Sequence, residues 1–133
     1  MLHPTATTVR LFLHVLAATV WVGGQLTLAG LVPGLRPLAP EAPRAVARRF
    51  NAIAWPAFAV LVLTGIWNIT QVPHPFRGAY GATLMLKIGV VVLSGVGAWL
   101  HSVSRTPRSL AVWGAVSGLA ALGALFIGVL LAG

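Results

Sequence analysis

The chain has 133 residues, 58% of them apolar and 8% charged, with a formal net charge of +8 and a mean hydropathy of +0.92. A soluble surface carries charge on about a quarter of its residues, so this composition excludes an ordinary soluble domain and makes lipid the solvent. Cysteine is absent, which removes disulfides, thiolate metal sites and cysteine nucleophiles together. The positive charge falls at the borders of apolar runs, where phospholipid headgroups attract it, and does not indicate nucleic-acid binding.

In chain order, no Asp, Glu, Lys or Arg lies between Arg10 and Arg36. That run predicts a first helix over 8–32, longer than the roughly 20 residues that cross about 30 Å of hydrocarbon. Its length, its interior polar residues and its lack of a small-residue cleavage site argue against a removable signal peptide. The proline-rich stretch Pro33 to Arg44 holds the only acidic residue, Glu41, and reads as a loop. A second helix is expected over 45–71, kinked at Pro56, then a turn at Pro73-His74-Pro75. The third, over 79–104, carries Lys87 inside an otherwise apolar run, and the fourth, over 109–132, follows a break at Thr106-Pro107. The expected fold is all-α: a four-helix transmembrane bundle forming one domain, 1–133, since lipid leaves no partners for unpaired backbone and the runs lack the alternation of a barrel.

Basic residues are enriched in cytoplasmic loops. Arg36, Arg44, Arg48, Arg49, Arg105 and Arg108 sit at one side, Arg10 and Arg77 at the other, so both termini are expected outside the cytoplasm, in the plasma membrane. His14 and Lys87 then lie in the outer half, within about one helical turn of the same depth, and His101 lies about 20 Å deeper.

Ionisable groups inside a membrane are costly and normally face partners. In the third helix Tyr80, Lys87, Ser94 and His101 recur every seven residues, on nearly one stripe. In the first, His14, Trp21 and Gln25 share a face; in the second, Asn51, Trp55 and Phe58 do. The stripes are expected to meet across the bundle interior. Ser94, Gln25 and Asn51 also fit plain interhelical hydrogen bonding, Trp55 an interfacial belt, Lys87 snorkelling, and His101 the headgroup boundary. Gly114 and Gly118 read as a close-packing pair.

The run LHVLAATVWVGG, Leu13 to Gly24, resembles the first helix of the copper resistance protein D (CopD) family domain and is similar to the HemJ-type membrane proteins linked to haem. RRFNAIAWPAF with LTGIWN looks like the second helix of such domains, and LMLKIGVVVLSGVGAWLH like their third. The resemblance implies metal or haem handling at His14, Trp21, Lys87 and His101. The soft ligands expected for passing Cu(I) are missing, since beyond Met1 only Met85 carries sulfur.

Three functions follow. The first is copper handling at an outer-half site around His14, with His3 and His74 as further outer ligands. The second is haem b binding, with His14 as axial ligand, Lys87 as second ligand or propionate partner, and tryptophan walls. The third is an accessory subunit in a homo-oligomer or larger membrane complex, without chemistry of its own. No hydrolase constellation is present, so enzymatic activity would require a bound redox group.

Overall fold

A computed structural model describes all residues, 1–133. It is entirely helical, with four helices long and apolar enough to cross a membrane: α1 (Ala6–Leu35), α2 (Ala42–Thr70), α3 (Gly78–Val103) and α4 (Pro107–Ala132). The chain divides into two compact units, Met1–Gln71 and Val72–Gly133, each an antiparallel helical hairpin.

Helix starts follow local chemistry. Thr5 caps α1 reciprocally, its hydroxyl accepting from the Thr8 amide at 3.2 Å while its own amide donates to the Thr8 hydroxyl at 3.2 Å, which satisfies orphan donors of the first turn. Thr106 caps α4 by accepting from the Ser109 amide at 3.2 Å, with Pro107 in the first turn, where its missing N–H is no loss.

The proline-rich connection is shorter than expected. α1 runs through Pro33 to Leu35, and α2 begins at Ala42 with Pro43 in its first turn. Each proline thus sits near a helix end that tolerates it, Pro33 losing one bond close to the C-terminus and Pro43 none. α2 also continues unbroken through Pro56.

In the N-terminal hairpin, α1 is α-helical on both sides of a π-helical turn, Thr19–Gly23. The inner faces meet through Ala17, Trp21 and Ala54, all buried, and a Cβ at Gly24 would overlap the Phe50 ring. In the C-terminal hairpin, Ser94 and Ser117 are 1% and 2% exposed. Each hydroxyl donates to the other's backbone carbonyl, at 3.0 and 2.9 Å. That reciprocal pair needs the backbones close together, and Gly97 allows it: a Cβ there would stand 3.0 Å from the Ser117 nitrogen. Large apolar side chains such as Leu63, Leu86, Leu119 and Phe126 point outward, 59–69% exposed, as expected of a chain solvated by lipid rather than water.

Candidate functional site

The polar residues of the N-terminal hairpin are built around one hydrogen-bonded chain. Thr64, buried on α2, donates its only hydroxyl hydrogen to the carbonyl of Val60 at 2.7 Å, the helical back-bond available to threonine. Its oxygen stands 2.8 Å from His14 Nδ1. With that hydrogen on the carbonyl, the arrangement that satisfies both bonds has Thr64 accepting and His14 donating from Nδ1, which puts the imidazole lone pair on Nε2. An imidazole whose Nδ1–H is held in this way is oriented as nitrogen ligands are in metal and haem sites. Gly65 adds room, since a Cβ there would lie 3.6 Å from the His14 ring.

One to two turns along α1, at the π-turn, Trp21 is 3% exposed. Its ring lies 5.4 Å from that of Trp55, edge-on, and 4.4 Å from that of Phe58; Trp55 and Phe58 are 5.9 Å apart. Trp21 and Trp55 were candidate walls of a haem slot together with Trp67; they pack instead with Phe58 in edge and tilted geometries favoured by aromatic quadrupoles, while Trp67 is 40% exposed. Gln25 and Asn51 are half-buried further along. Trp55 belongs to this cluster.

In the C-terminal hairpin, Lys87, Ser94 and His101 all reach α4. His101 Nδ1 stands 2.8 Å from the Leu110 carbonyl; a carbonyl only accepts, so this imidazole also donates from Nδ1 and presents its lone pair on Nε2. Gly114, one turn beyond Leu110, makes the approach possible: a Cβ there would be 3.1 Å from Nδ1. The Lys87 ammonium lies over Gly128, 3.0 Å from where a Cβ would be. From the pairing of Ser94 with Ser117, Lys87 is level with about residue 124 on an ideal antiparallel helix, so its side chain leans about one turn toward the N-terminal end of α3. That is the snorkelling direction. Tyr80 is 37% exposed, and His74 occupies an exposed turn with φ of 50°. His3 is exposed before α1.

Each polar stripe is therefore met first by the partner helix of its own hairpin. No three His, Cys, Asp or Glu residues gather into a group able to hold a metal ion. Three residues that were not read as site residues shape the arrangement: Thr64, which was not singled out, Gly114, read only as a close-packing position, and Arg10, read as a flanking charge. Arg10 is only 9% exposed; its signal was its place on the stripe Arg10, His14, Ala17, Trp21, although its position at the border of an apolar run read as a flanking charge.

The sequence model of the family described as Copper resistance protein D matches residues 44–133. The chain belongs to the CopD family. The matched region holds α2, α3 and α4 of this CopD protein, with Thr64, Lys87 and His101, whereas His14 and Trp21 lie in α1, before it. The family likeness thus extends through α4, which the resemblance left out, and begins after α1, where the resemblance started. Neither among curated proteins nor among solved structures does anything match.

Proposed function

We propose that this CopD-family protein handles copper as cargo in the plasma membrane, taking the ion on His14 Nε2 in the outer half, with both termini outside the cytoplasm. Family membership supports copper. The observation that carries the residue assignment is the Val60–Thr64–His14 chain of hydrogen bonds, which gives the imidazole the tautomer and orientation of a ligand. Imidazole suits copper in the absence of thiolates. A single nitrogen from one hairpin makes a weak site, suited to passing an ion rather than storing it; His3, on the exposed segment preceding α1, is the further ligand best placed by sequence to deliver it. Orientation rests on the arginines at the α1–α2 and α3–α4 connections. Haem is the less supported reading, because Trp21 and Trp55 pack edge-on with Phe58 instead of opening flat walls, and Trp67 is 40% exposed.

The test is competition of detergent-purified protein for Cu(I) against a coloured chelator, alongside the visible spectrum of protein from cells supplied with haem. The expected result is Cu(I) binding that falls at least about tenfold in His14→Ala, the scale for a lost ligand contact. Unchanged binding in that variant, or a Soret band without copper binding, would sink the copper reading; neither ligand in any sample would favour an accessory subunit.

A further inference from the structure

The first two turns of α2 present one apolar face and one basic face. Ala42, Pro43, Val46, Ala47 and Phe50 are half-buried, whereas Glu41, Arg44, Arg48 and Arg49 are exposed. At 3.6 residues per turn the three arginines span about 140° of the helix surface, on the side turned away from the buried Ala54. Arg36, also exposed, follows α1 directly at the start of the connection. None of the four makes a hydrogen bond or ion pair. Glu41, the only acidic side chain, stands among them unpaired, so four positive charges meet one negative.

Their depth follows from the same helix. Residues 50–70 carry no charge and rise about 30 Å, the thickness of the hydrocarbon core. The turns before them therefore stand in the headgroup layer, which adds about 5–7 Å on each side. Arg48 and Arg49 start at the base of that layer, and Arg44 starts about 9 Å above residue 50, with a side chain long enough to reach back into it. Left to itself the arrangement is unfavourable. Three cations occupy the positive end of the α2 dipole, and Arg44 and Arg48 are like charges four residues apart on nearly one stripe.

From this depth, exposure and lack of counter-ions we infer that the arginine face of α2, with Arg36 beside it, is a binding surface for anionic phospholipid headgroups and holds the first turns of α2 in place through them. Guanidinium groups match phosphate oxygens with paired N–H donors, and Arg44 and Arg48 are spaced to share one headgroup. An anionic headgroup offsets both the dipole and the mutual repulsion of the arginines, whereas a zwitterionic one brings a cation of its own. Clusters of this size beside a membrane-spanning helix select anionic lipid for that reason. An acidic protein would have to displace headgroups that already occupy this level. The inference uses neither the copper assignment nor the sidedness of the chain.

Native mass spectrometry of the intact detergent-solubilised protein tests it, with phosphatidylglycerol, phosphatidylcholine and inorganic phosphate as probes and thermal unfolding measured in parallel. Wild-type protein is expected to retain phosphatidylglycerol over phosphatidylcholine and to unfold at a higher temperature with it. The preference should decline as salt is raised from about 0.1 to 1 M, because the charges are exposed. Each arginine removed from the face is expected to lower it about fivefold, so that Arg44→Gln/Arg48→Gln/Arg49→Gln abolishes it together with the stabilisation. Arg49→Gln alone decides the matter if the triple variant fails to fold. Arg77→Gln, at the other end of α2, is expected to leave the preference unchanged. Equal retention of the two lipids would overturn the inference, as would a preference that survives in the triple variant, or stabilisation by inorganic phosphate equal to that by phosphatidylglycerol.

Discussion

Thr64 does more for His14 than fill space beside it. Because the Thr64 hydrogen is held by the Val60 carbonyl, the acceptor that His14 meets has a fixed polarity, and the ring cannot exchange its tautomers without breaking that chain. Thr64→Val preserves shape and removes the acceptor. Cu(I) affinity is therefore expected to fall about 10- to 100-fold, the range for losing the partner that orients a ligating histidine, whereas Thr64→Ser retains most of it; competition titration of the two variants measures the difference. His101 is held by a backbone carbonyl instead, so no side-chain substitution on α4 removes its acceptor, and Gly114 becomes the sensitive position. Neither Thr64 nor Gly114 was legible as part of a site. Threonine inside LTGIWN looks like one more residue of an apolar run, and a helical glycine signals close packing without naming what packs there. Arg10 was visible as a charge bordering an apolar run; its burial was not.

Between α3 and α4 the reciprocal serine pair is the buried polar contact, with His101 bonded to the Leu110 carbonyl nearer the connection. Each hydroxyl reaches a carbonyl already engaged in its own helix, so removing one leaves no orphaned backbone group, and the penalty is moderate. Ser94→Ala and Ser117→Ala are each expected to destabilise the hairpin by about 1 kcal/mol, as interhelical hydrogen bonds in membranes do. Because both bonds depend on the same close approach at Gly97, the double variant should lose less than the two single losses added; unfolding in mixed detergent micelles gives all three values. The helices themselves were legible almost to their ends, since an uncharged run longer than a bilayer is thick has few other forms available. Their junctions were less so. Pro33 and Pro43 belong to helices despite marking a loop in sequence, because proline excludes itself from helix interiors and not from first turns or final ones. The π-turn around Trp21 left no compositional trace beyond the adjacent glycines.

Across the whole molecule, charge asymmetry is the basis of the proposed orientation. The absence of cysteine makes that directly measurable, because any introduced thiol is the only one. Arg36→Cys is expected to react with a membrane-impermeant thiol reagent only after cells are opened, and His74→Cys in intact cells; the reverse pattern would invert the topology and move His14 to the inner half. At this scale the structure adds pairing: the expected stripes of the first and second helices meet through Trp21, Trp55 and Phe58 inside the N-terminal hairpin, and Ser94 and His101 find partners on α4. That closure has a consequence for how the protein is made. The Thr64–His14 bond and the Trp21–Trp55–Phe58 cluster both lie within the N-terminal hairpin, so these contacts do not wait on residues still to be synthesised. They can form as the hairpin enters the bilayer, while α3 and α4 are still inside the ribosome.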